Sequence, residues 1–122
     1  MLPNFLFPEQ TATANGAGPA IEIGDSAGGV LQVTLGITDV VEQESLDVSI
    51  WGSADGLDFG LKPIAAFPQK FYAGVYTVLL DLQKVPDFRF LQVHWKMHRW
   101  GHWGATPKFT FYVFGELLKD AA

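Results

Sequence analysis

His94, His98 and His102 stand four residues apart. On a helix that spacing would put three imidazoles on one face, where they could hold zinc. The neighbouring residues choose a different backbone. Leu91, Val93, Trp95 and Met97 alternate with Gln92, His94, Lys96 and His98, which is the period of a strand. Residues four apart on a strand are separated by roughly 13 Å, from a rise of about 3.3 Å per residue. One ion cannot bridge that gap. The segment predicts a strand with His94, Lys96 and His98 on a solvated face. A metal centre would have to combine His102 with a distant carboxylate, or draw histidines from neighbouring subunits. That arrangement would make the chain a small metal-dependent β enzyme, cupin-like in type. The primary expectation is no metal and no other cofactor.

Trp100, His102 and Trp103 fall in a glycine-flanked loop that begins directly after His98 and Arg99. Aromatic side chains on a loop offer large, rigid contact area, suited to stacking on a sugar or anchoring a protein. Arg99 and His98 would supply the polar contacts beside them. The alternative is that the tryptophans fold back and cap one end of the domain.

Other candidate chemistry is weaker. Gly24-Asp25-Ser26-Ala27-Gly28-Gly29 has the look of a serine-protease nucleophile loop, but all three histidines lie downstream of Ser26. A glycine-rich turn is the simpler expectation. The acidic loops, one with Asp39, Glu42, Glu44 and Asp47 and the next with Asp55 and Asp58, could present oxygens to calcium, yet no ligand loop of recognised spacing is present. Phosphate-binding, dinucleotide-binding and nucleophile-elbow signatures do not occur. The chain is therefore expected not to be an enzyme.

The elements that must position these residues are strands. Leu31, Val33, Leu35 and Ile37 share one face. Leu46, Val48 and Ile50 alternate with Asp47, Ser49 and Trp51. Tyr76, Val78, Leu80 and Leu82 form a third such set, and Phe109, Phe111 and Val113 a fourth. Residues 20–23 and 64–67 are weaker candidates. Turn residues separate the runs, for example Ser53-Ala54-Asp55-Gly56 and Pro86-Asp87. No sustained helical period appears, and residues 116–122 are expected to make at most a terminal turn. The pattern predicts an all-β fold: an antiparallel two-sheet β-sandwich, jelly-roll-like, with about seven to eight strands.

Residues 1–19 are expected to be an extended N-terminal arm, 20–118 the sandwich domain and 119–122 a tail. Residues 2–7 are apolar and tethered by a small, glycine-rich stretch. An apolar arm left in water is a liability, so it should dock on its own domain or on a neighbour. Hydrophobic residues at 48% and charged residues at 17% exclude a disordered chain. A net charge of -5 disfavours nucleic acid as a partner. No stretch has the roughly 20 apolar residues of a membrane-spanning helix, and the N-terminus lacks the basic region of a secretory signal. The expectation is a cytoplasmic or virion protein without membrane contact. Arg89, Lys96, Arg99 and Lys108 lie in a stretch without acids, while Asp39, Glu42, Glu44 and Asp47 cluster elsewhere. Two such surfaces could pair head to tail between subunits.

Three segments taken together carry a resemblance. They are Leu31-Gln32-Val33-Thr34-Leu35, the strand and Ser-x-Asp-Gly turn of residues 46–59, and the Phe88-Arg89-Phe90 and Phe109-Thr110-Phe111 strands. Over roughly residues 30–114 the chain resembles small β-sandwich proteins of bacteriophage and prophage structural-gene regions. That resemblance implies a virion-associated structural role in a homo-oligomer or with other structural proteins. The same turn and the Phe-Arg-Phe strand are similar to discoidin, or galactose-binding-like, sandwiches, which implies binding of sugars or lipid headgroups by loops at one end. The leading expectation is a non-enzymatic structural or assembly protein. A carbohydrate-binding module built on the 100–103 loop is the alternative.

Overall fold

The structure is a computed structural model that describes residues 2–40, 44–99 and 107–119. Among the described residues nine strands form, in chain order: β1 (Asn4–Ala12), β2 (Gly16–Ala17), β3 (Ile21–Glu22), β4 (Val30–Val40), β5 (Glu44–Ser53), β6 (Ala65–Ala66), β7 (Gly74–Asp81), β8 (Phe90–Arg99) and β9 (Phe109–Lys119). One sheet has the order β1-β9-β4-β7, the other β2-β8-β5-β6 with β3 also on β8. All these pairings are antiparallel. Because β2 and β3 lie one after the other along β8, they act as a single broken strand. Each sheet then has four positions, and their order is that of a jelly roll.

Period-two patterning places the core. Leu31, Val33, Leu35 and Ile37 of β4 and Phe109, Phe111 and Val113 of β9 face Leu46, Val48 and Ile50 of β5 and Leu91 and Val93 of β8, all buried. This is the expected sandwich, with one apolar face per sheet turned inward.

The N-terminal segment docks on its own domain. β1 runs along β9 from Asn4 opposite Gly115 to Ala12 opposite Phe109. Leu6 and Phe7 enter the core. The Phe7 ring stacks on Phe111 at 5.0 Å and meets Trp95 of the other sheet at 4.7 Å, so it ties the two layers together. The stretch expected to be a tether is also fixed. Trp95 Nε1 donates to the Ala14 carbonyl, and the Met97 amide donates to Asn15 Oδ1. At the other end, β9 continues through Lys119, where the sequence predicted only a turn from residue 116. Leu117 still packs against the core, and Glu116 remains in the ladder opposite Gln32.

The sheet edges differ in how they are protected. β1 carries Pro8 and two register shifts. β2 and β3 are two residues each, broken at Pro19. β6 is two residues long, with Pro63 and Pro68 close by. Prolines, bulges and short strands are the usual devices against edge-to-edge pairing. β7 is eight residues long, has no proline, and has no charge before Asp81. Among the described residues it pairs only with β4. Val75 and Leu79 on its outer face are 67% and 66% exposed.

Candidate functional site

The residues singled out in the sequence divide between two places. Trp100, His102 and Trp103 lie outside the described residues. Arg99 ends β8 opposite Glu44, and His98 sits opposite Ser45, exposed on the outer face of the sheet. The expected solvated face of β8 holds for Lys96 and His98. His94 differs: it is half-buried, and its ring stacks on Trp51 at 4.6 Å and 17°.

That stack sits in a groove of about 520 Å³ on the outer face of the β8-β5 sheet. The floor follows from strand alternation. Residues whose neighbours fill the core must point outward, so Asp47, Ser49 and Trp51 of β5 lie beside Gln92, His94 and Lys96 of β8. Two short segments make the walls. Asn15 and Gly16 lie on one side, and Pro63 and Phe67 on the other. The second wall is held by backbone bonds from the Ile64 and Phe67 amides to the Ile50 and Val48 carbonyls, each 2.8–2.9 Å.

Hydrogen bonds orient the floor. Gln92 Nε2 donates to the Gly18 carbonyl at 2.9 Å, so Gln92 Oε1 is the atom that faces His94 Nε2 at 2.7 Å and must accept. The proton of His94 is therefore on Nε2, and Nδ1 keeps a lone pair. Burial pushes the His94 imidazole below its ordinary range, so it is neutral at pH 7. Trp51 Nε1 donates to Ser49 Oγ at 3.0 Å, which holds the indole along its own strand. Gln69 Nε2 donates to Asp47 Oδ2 at 3.1 Å. The result is a fixed aromatic pair bordered by a carboxylate, a hydroxyl, an amide and an ammonium.

The Ser-x-Asp-Gly segment is a self-contained turn. Asp55 Oδ1 accepts from the Leu57 and Asp58 amides and from Ser53 Oγ, each at 2.9 Å. Those bonds hold the Asp55 carboxyl down at about 2, the Asp58 amide contributing most. Gly56 adopts φ 80°, a conformation that favours glycine. Asp55 Oδ1 thus serves the loop, and among the described residues no group of three or more His, Asp or Glu side chains is placed to hold a metal. Gly24–Ser26 forms one turn of 3₁₀ helix with Ser26 buried, the glycine-rich turn expected there.

The separated charges of the sequence meet within one ladder. Glu44 lies opposite Arg99 and Asp47 opposite Lys96. The buried Glu44 carboxylate also accepts from the Lys108 amide at 2.7 Å.

Sequence reasoning missed Trp51, Ser49 and Asn15 as site residues. The signal was present for Trp51: an aromatic residue at an outward position, between Asp47, Ser49 and a turn, covers nothing in the core. Asn15 belongs to a wall that only the three-dimensional pairing creates. No known family model matches the chain, and no curated protein matches it.

Proposed function

We propose that this jelly-roll domain is a non-enzymatic structural protein, of the kind found in phage and other virus particles, and that it assembles by pairing β7 with β7 of a second copy. One observation carries the reading: β7 is the one long strand edge among the described residues with no proline or bulge and no charge before its last residue, Asp81, to blunt it. Jelly rolls serve capsid proteins, lectins and cupins alike, so the surface rather than the fold must decide.

The sequence of β7 is self-complementary about Thr77. In an antiparallel pair centred there, Val75 of each copy lies opposite Leu79 of the other, and Tyr76 lies opposite Val78. The exposed apolar side chains would cover one another on the outer face. The contact is isologous and closes as a dimer. It would make one eight-stranded sheet from two four-stranded ones. The outer face of that sheet also presents Phe5, with its ring against Tyr112 and Phe114 at 5.8 and 5.1 Å. This is a second apolar surface for other structural proteins.

An edge of eight residues makes a small interface, and small interfaces are weak and concentration-dependent. The test is light scattering at rising concentration, up to roughly 0.5 mM, where weak pairs populate. The expected mass climbs from the 13.4 kDa of one chain towards twice that. A Val75→Lys, Leu79→Lys double variant should remain a monomer with an unchanged circular dichroism spectrum, since both side chains are solvent-facing in one copy. A wild-type monomer throughout, or a double variant that associates equally well, would overturn the proposal.

A further inference from the structure

We infer that the groove over Trp51 and His94 is a binding site for an uncharged oligosaccharide. The inference rests on the outer face of the β8-β5 sheet and is independent of β7 pairing.

Its size falls within the roughly 300–1,000 Å³ of small-molecule sites, at about 520 Å³. An indole held by two partners is a preorganised platform. Its N–H is engaged by Ser49 and one face is covered by His94, and the half-buried ring borders the groove, where it can take the flat, C–H-rich side of a pyranose ring. Around it stand the groups that hydroxyls require. Asp47 and the Nδ1 of neutral His94 are acceptors, whereas Lys96 and the amide nitrogen of Asn15 are donors.

Charge selects against the other ligands that stack on indoles. Nucleobases arrive with phosphates, and a chain of net charge -5 with Asp47 at the groove repels them. Asp47 and Lys96 face each other across the ladder, so the groove floor has no strong excess of either sign. That balance suits a neutral polyol. The hydrogen bonds from Gln92 and Gln69 that lock the floor mean that little side-chain order remains to be imposed on binding.

The experiment uses the full chain, labelled with ¹⁵N, titrated with neutral hexasaccharides of β-1,4-glucan, β-1,4-xylan, β-1,4-mannan, α-1,4-glucan and β-1,4-galactan. The Trp51 indole N–H, its signal assigned by loss in Trp51→Phe, is followed by NMR together with the backbone amides of Ser49, His94 and Lys96, which report in every variant. At least one sugar should shift that signal with a Kd of about 1 mM or tighter. Trp51→Ala should weaken the same sugar by at least about tenfold with the melting temperature preserved, and Trp51→Phe by less. No shift with any of the five sugars at roughly 10 mM, ten times that Kd, would overturn the inference. So would backbone-amide shifts of Ser49, His94 and Lys96 that keep the same midpoint in Trp51→Ala. A Trp51→Ala protein that fails to fold passes the decision to Asp47→Ala, on the same fold-change criterion.

Discussion

Replacing Phe7 with alanine removes a ring that touches both sheets at once. Phe7 is only 3% exposed, stacked on Phe111 at 5.0 Å and set against Trp95 at 4.7 Å. Truncating a buried phenylalanine costs about 3–5 kcal/mol. Part of that lies in aromatic pairs worth about 0.5–1.5 kcal/mol each beyond their area. β1 is an edge strand and can relax, which argues for the lower half of the range. A chain of this length has roughly 6–15 kcal/mol of stability, so the loss is a large fraction of the whole. At about 3–6 °C per kcal/mol for this size, the melting temperature should fall by about 10–20 °C. Urea unfolding, followed by far-UV circular dichroism and tryptophan fluorescence, measures it directly. Phe5→Ala is the control, because Phe5 is 43% exposed on the outer face and should cost less than about 1.5 kcal/mol. A Phe7→Ala cost below about 1 kcal/mol, or equal costs for the two variants, would refute the placement of this segment in the core. A protein beginning at Ala20 should likewise lose cooperative unfolding rather than persist as an intact domain.

Two titrations bear on the remaining sites. His94 titrates below its unfolded value of 6.5, so between the two values the unfolded chain binds more protons. Its contribution is complete above pH 6.5 and is lost as the pH falls below it. Melting temperatures from pH 8 to pH 5 should decline in that window, and the decline should shrink in His94→Gln; an identical decline in both proteins would contradict the burial of His94. The Asp55 carboxyl, followed by ¹³C NMR, should titrate at about 2, and Ser53→Ala should raise that midpoint. Its contribution to the turn is therefore present above its ordinary 3.8 and lost as the pH falls towards 2. A wild-type midpoint at 3.8 would mean that the Leu57 and Asp58 amides do not bond to it.

The sandwich was legible because its interior strands obey strict alternation. Leu31 to Ile37, Leu46 to Ile50 and Phe109 to Val113 each bury every second side chain, and short turns punctuate them. The strand β1 was not legible, for a physical reason. Pro8 interrupts its donors, and register shifts break the alternation, so that Leu6 and Phe7 are adjacent and both buried. A bulge allows this and period-two counting does not. β2 is two small residues whose pairing depends entirely on β8. The groove was half legible. His94 and Lys96 were assigned to an outer face from their spacing, but their partner Trp51 is more than forty residues away in sequence, and only the β5–β8 register brings them together. His94 was expected in water; the Trp51 ring and Gln92 half-bury it instead.

The most direct test of assembly through β7 uses a single Thr77→Cys substitution in a chain that otherwise has no cysteine. Self-pairing centred on residue 77 would bring the two Cβ atoms within about 4.5–5.5 Å, close to the reach of a disulfide. Mild oxidation at high concentration should give a covalent dimer in high yield. Val75→Cys, placed opposite Leu79 of the partner copy, should give far less. Equal and slow cross-linking of the two variants would contradict the pairing and, with it, the assembly reading.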